Sequence, residues 1–198
     1  MSDIICVTNR SLCGDDFLKR VERIAAAGAA GIILREKDMS ESGYRDLAEK
    51  VIGICRAYSV PCILHSFADA AIELGAEAIH MPLGLLREMP TEKKAKFRLI
   101  GASCHSLAEA LEAHRLGCGY ITAGHVFNTD CKRGMPGRGL EFLRTVCAGV
   151  DIPVFAIGGI AKENIADVRA AGADGACVMS GLMRCADVEE YLKGFEKE

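Results

Sequence analysis

Eight short runs of apolar, largely β-branched residues recur along this chain, separated by segments in which apolar residues return at helical spacing. The runs are Ile4 to Thr8, Gly31 to Arg35, Cys62 to His65, Ala78 to Met81, Leu99 to Ser103, Tyr120 to Ala123, Val154 to Gly158 and Ala176 to Ser180. The helical segments are Phe17 to Ala27, Tyr44 to Tyr58, Ser106 to Leu116, Leu140 to Cys147, Ala161 to Ala171 and Asp187 to Glu196. Each run is almost continuously apolar rather than alternating, as a parallel strand is when helices cover both its faces. Eight strands alternating with helices predict an α/β fold, a (β/α)8 TIM barrel; an open doubly wound sheet shares the alternation and is the competing architecture.

Four phrases support the repeated strand and helix unit: AAGAAGI, ELGAEAI, RLGCGYI and AAGADGA each place a glycine where a helix ends and a strand begins. Glycine is favoured there because the residue after a helix commonly turns left-handed. Residues 82–97, PLGLLREMPTEKKAKF, are the weakest segment, with two prolines and a charge run, and predict a loop with one short helix.

With 198 residues, half of them hydrophobic, the chain can bury a core as a single domain over 1–198 without staples. A formal net charge of −3 offers no electrostatic footprint for nucleic acid or an anionic membrane, so neither is expected as a partner. The ten cysteines never stand two residues apart, which argues against a zinc knuckle and for reduced thiols. With no basic and apolar leader at the start and no run of membrane-spanning length, a cytoplasmic protein is expected.

In such a barrel the chemistry sits at the C-terminal ends of the strands, and phosphate is often held after strands seven and eight. AIGGI and VMSGL lie there, so Gly158, Gly159, Ser180 and Gly181 are candidate phosphate ligands, although the glycines could serve only tight turns. LREKD ends the second strand with Arg35, Glu36 and Lys37; the two cations suit a carboxylate or phosphate, and a surface ion pair is the plain alternative. His65, His80, Ser103, His105 and His125 also fall at strand ends. Imidazole suits proton transfer near neutral pH, which favours His125 and His105, whereas His80 and His114 are read as structural. No strand-end carboxylates accompany the histidines in a catalytic-zinc pattern, so no metal is expected.

AGHVFNTDCKRGMPGRG, residues 123–139, concentrates His125, Thr129, Asp130, Cys131, Lys132, Arg133 and Arg138 among glycines and reads as a ligand-covering loop. Lys132 is its candidate ligand contact, and Cys131 reads as filler.

LREKD, SCHS, GHVFNTDCKRG, AIGGI and VMSG, in this order and nearly spanning the chain, resemble the thiamine phosphate synthase superfamily, and the wording of the long loop resembles its TenI branch of thiazole tautomerases. The superfamily fold is a TIM barrel. The synthases hold magnesium with aspartates after strands three and four, where this chain has His65 and Ser66, and Leu85. The resemblance therefore implies a metal-free isomerase without cofactor. It would aromatise the dihydrothiazole carboxylate phosphate released by thiazole synthase to the carboxythiazole phosphate, with His125 moving the proton and His105 assisting. Arg35, Lys37 or Lys132 would meet the carboxylate, and Ser103 and Thr129 match ligand-contact positions. It also implies a phosphorylated thiazole as the small-molecule partner and a homodimer. The competing readings are thiamine phosphate synthase itself, and a non-catalytic TenI-like regulatory protein.

Overall fold

The apolar runs become strands because each lies between helices and the barrel interior. In the computed structural model, which describes residues 2–132 and 134–196, they are β1 (Ile4–Val7), β2 (Gly31–Leu34), β3 (Cys62–His65), β4 (Ala78–Pro82), β5 (Leu99–Cys104), β6 (Tyr120–Gly124), β7 (Val154–Ile157) and β8 (Gly175–Val178). All pair in parallel with their sequence neighbours, and β1 also pairs with β8, Ile5 opposite Cys177. That last pairing closes the barrel and decides against the open sheet.

Side-chain parity divides the core into two bodies. Ile4, Cys6, Ile32, Leu34, Ile79, Ile121 and Ala176 point outward to the helices, whereas Ile5, Val7, Ile33, Ile63, Ala78, Tyr120 and Cys177 fill the barrel. Both faces are buried, which is why the strands read as continuously apolar.

The helices are α1 (Phe17–Ala26), α2 (Glu41–Ala57), α3 (Ala68–Glu73), α4 (Leu83–Glu88), α5 (Thr91–Lys94), α6 (Leu107–Arg115), α7 (Gly139–Gly149), α8 (Ile165–Ala170), α9 (Ser180–Arg184) and α10 (Val188–Lys193). Capping sets their starts: Asp16, Ser40, Ser106 and Asp187 each accept a hydrogen bond from a backbone N–H in the following first turn. Their ends follow the glycines of the four repeated phrases, since Gly28, Gly75, Gly117 and Gly172 have φ of +77°, +63°, +90° and +98°. The segment 82–97 departs from expectation by forming two short helices, α4 and α5. Pro82 and Pro90 stand at their N-caps, where a missing N–H costs nothing, so the prolines start the helices instead of preventing them. Among the described residues no helix is long and apolar enough to cross a membrane.

Candidate functional site

The inward parity that fills the barrel continues past the strand ends and supplies the site. Arg35 and Lys37 share the parity of Ile33, Ser103 and His105 that of Gly101, and Thr122 and Gly124 that of Tyr120. All except Gly101 and Tyr120 line one cavity of about 460 Å³ at the mouth, together with His65, His80, His125, Thr129, Lys132, Gly158, Gly159 and Ser180. The volume suits one medium-sized ligand.

Glu36 has the opposite parity, and this resolves LREKD. It is 2 % exposed and leaves the cavity to its neighbours. Its carboxylate accepts from Thr8 Oγ1 at 2.7 Å and from the Arg10 N–H at 3.0 Å, while Thr8 Oγ1 accepts from the Arg35 N–H at 3.0 Å. Burial raises its pKa against those hydrogen bonds. Asp38 is taken by Arg10 at 2.7 Å. The acidic members of the motif thus fasten β1 to β2, and no carboxylate among the described residues pairs with Arg35, Lys37 or Lys132. Partial burial, then the charges of Arg35 and Lys132, push the Lys37 ammonium pKa down. A lysine lowered by neighbouring cations, with no carboxylate pairing them among the described residues, marks a place for an anion.

The loop after β6 folds against the turn after β7. Gly158 (φ +100°) and Gly159 (φ +68°) are left-handed, and a Cβ on either would fall onto His125 or onto the Phe127–Asn128 backbone. The glycines therefore permit the two loops to touch as well as turn. Phe127 N–H donates to the Gly158 carbonyl at 3.0 Å, and Gly137 N–H to Asn128 Oδ1 at 2.8 Å. The Gly124–His125 peptide is cis. His125 is buried, with Nε2 3.2 Å from the Met135 carbonyl, so that nitrogen donates to the loop above it. His105 Nδ1 lies 2.8 Å from the Gly124 carbonyl and must donate to it, leaving Nε2 for a ligand.

Gly181 does not line the cavity. It is inside α9 and packs against the Tyr191 hydroxyl, where a side chain would overlap it, so packing accounts for this glycine. Sequence reasoning passed over Thr122, Glu109 and Arg87, which do line the cavity; strand parity could have found Thr122, but α4 and α6 bring the others. Arg87 is neutralised by Glu112 at 2.7 Å. Arg133 and the Cys131 side chain lie outside the described residues.

The donor set does not fit resident magnesium. Ser66 and Leu85 do not line the cavity, and Glu109, its one lining carboxylate among the described residues, already accepts from the His105 N–H at 2.6 Å. A hard divalent ion needs carboxylate oxygens, and no group of three His, Cys, Asp or Glu among the described residues could hold one.

A family profile described as thiamine monophosphate synthase matches residues 4–182. The chain belongs to that family. A thiamine-phosphate synthase of Clostridium acetobutylicum is 35% identical over 193 residues, 94% of this chain and 90% of its own length. That of Fusobacterium nucleatum is 36% identical over 202 residues, covering 97% and 96%. The solved thiamine phosphate pyrophosphorylase of Pyrococcus furiosus superposes with a TM-score of 0.83 at 31% identity, over 98% of this chain and 93% of that one. These relatives overturn the thiazole tautomerase expectation, and with it the isomerase class. That expectation rested on one loop and on the missing aspartates after strands three and four, whereas the relatives match along nearly the whole chain and are named as synthases. In the structure His125 anchors the long loop, its Nε2 donating to the Met135 carbonyl.

Proposed function

We propose that the chain is an enzyme of the synthase type, a transferase that joins a pyrimidine diphosphate to a thiazole phosphate and releases pyrophosphate. The observation that carries the reading is a set of three cations, Arg35, Lys37 and Lys132, without a carboxylate partner among the described residues, lining one cavity with the glycine turns. Near-full-length similarity to proteins named thiamine-phosphate synthase supports it.

In this reaction the thiazole nitrogen attacks the methylene carbon of the pyrimidine, the N–C bond forms, and the C–O bond to pyrophosphate breaks with its electron pair on oxygen. The nitrogen carries no proton to lose, so no general base is required there. Arg35, Lys37 and Lys132 would hold the diphosphate and stabilise the charge that grows as it leaves. Turn amides at Gly158 and Gly159, with the Ser180 hydroxyl, would hold the thiazole phosphate and so align the two reactants, the larger part of what such a displacement needs. Thr129 would meet the same anions from the loop. His105, its Nδ1–H held by the Gly124 carbonyl, would present Nε2 as an acceptor to a donor on the ligand, and His125 would fix the loop through Met135.

The test supplies purified protein with both substrates and follows thiamine phosphate by its oxidation to a fluorescent product. Formation above the uncatalysed rate that is lost in Arg35→Ala/Lys37→Ala is expected; no product under any divalent-ion condition overturns the reading.

A further inference from the structure

The proposed reaction leaves one buried string of polar groups without a task. His80, on the inward face of β4, is 3% exposed. Its Nδ1 lies 2.9 Å from the Tyr120 hydroxyl and its Nε2 2.9 Å from Ser103 Oγ. Tyr120 lies across Gly101, whose missing side chain makes room for the ring, and is 4% exposed. Its hydroxyl has no other partner among the described residues. Ser103 lines the cavity. The string therefore runs from a sealed end inside the barrel to an open end at the mouth.

Two polarities are possible, and the sealed end decides between them. A phenol carries one hydrogen. Were His80 to donate from Nδ1 to the phenol oxygen, that hydrogen would have no acceptor in an interior of Ile5, Ile63, Phe155 and Cys177, none of which hydrogen-bonds the phenol. A buried donor without an acceptor is costly, whereas an oxygen that merely donates leaves only lone pairs idle. Tyr120 therefore donates to Nδ1. Burial pushes the His80 pKa down to about 3, so the ring holds a single hydrogen, and it must sit on Nε2. Nε2–H then donates to Ser103 Oγ, whose own hydrogen is left to point into the cavity.

We infer that Tyr120 and His80 are positioning residues that set Ser103 as a hydrogen-bond donor, making this point of the mouth selective for an anionic oxygen of the ligand. The inference deepens the proposed transfer reaction by assigning a contact to its diphosphate, the acceptor that the neighbouring cations already favour.

The tautomer is read in the free protein by long-range proton–nitrogen correlation on nitrogen-labelled histidine, with His80→Gln assigning the signal. A single Nε2–H tautomer is expected, and an Nδ1–H tautomer overturns the inference. Tyr120→Phe should move the Nδ1 resonance toward that of an unbonded lone pair; an unmoved resonance likewise overturns it. With pyrophosphate as the probe, Ser103→Ala should weaken binding about ten-fold, the scale of one hydrogen bond to a charged group. Unchanged affinity defeats the donor role. If the tautomer and the binding loss are found but coupling activity is not, the transfer reading falls and the relay stands.

Discussion

Two sides of one barrel mouth carry their polar groups in opposite ways. On the side of β2 and the β6 loop, Arg35, Lys37 and Lys132 are charged, partly or fully exposed, and without carboxylate partners among the described residues. On the side of β3, β4 and β5, His65, His80 and Ser103 are neutral and joined to partners, with both histidines nearly sealed. The same inward parity delivers Arg35 and Lys37 and the neutral set, so parity alone does not make the difference. Depth does: a cation near water keeps its charge and waits for an anion, while an imidazole below it keeps its lone pair and is ordered by neighbours. The first side supplies attraction and the second supplies direction.

The largest expected effect tests the junction between the loops. Gly158→Ala adds a left-handed penalty of about 1–2 kcal/mol and an overlap with His125 of about 1–3 kcal/mol. Chemical denaturation should show the sum, and a loss below about 1 kcal/mol would mean that the loops do not touch as described.

Acidification comes next and addresses the sealed side alone. Burial lowers both the His65 and His80 pKa from 6.5 to about 3, with the His80 charge adding to the effect at His65. The unfolded chain takes up protons near 6.5 and the folded chain only near 3, so stability is intact above that window and falls as pH drops through it. The slope should be at most about 1.4 kcal/mol per pH unit for each histidine. His80→Gln should reduce it; an unaltered slope would assign the acid sensitivity elsewhere.

Glu36→Ala removes the acceptor of the Thr8 hydroxyl and the Arg10 N–H, and should cost about 1–3 kcal/mol in thermal unfolding. It should also weaken pyrophosphate binding by loosening Arg35. Lys132→Ala is the mildest change. Exposed on its loop, it should leave the melting temperature alone while weakening pyrophosphate several-fold, less so in high salt. If salt affected Ser103→Ala and Lys132→Ala equally, the contrast between the two sides would collapse.

Much of the architecture was legible from short-range rules. Gly28, Gly75, Gly117 and Gly172 marked helix ends because left-handed backbone is cheap only for glycine, and the apolar runs marked strands covered on both faces. Arg35, Lys37 and His105 were legible as cavity residues because strand ends carry the site in this class of barrel, and Lys132 because its glycine-rich loop read as ligand-covering. Gly181 was not legible as a packing residue, because a glycine beside a strand end reads the same whether or not, as here, it packs against the Tyr191 hydroxyl. The long loop misled: its wording pointed to a tautomerase, while similarity along nearly the whole chain points to synthases.

By itself, the sequence determined the number of strands, their burial on both faces, the helix ends marked by four glycines and a pool of residues able to do chemistry at the mouth. These follow from hydrophobic period and backbone freedom, properties of neighbours along the chain. The tertiary structure alone decided that β1 closes on β8, that Glu36 turns away to hold Thr8 and Arg10, and that His80 is caught between Tyr120 and Ser103. Those pairings join groups between 23 and 40 positions apart, or the two ends of the chain. Their energies depend on which groups burial brings together away from water, and that is settled only when the barrel closes.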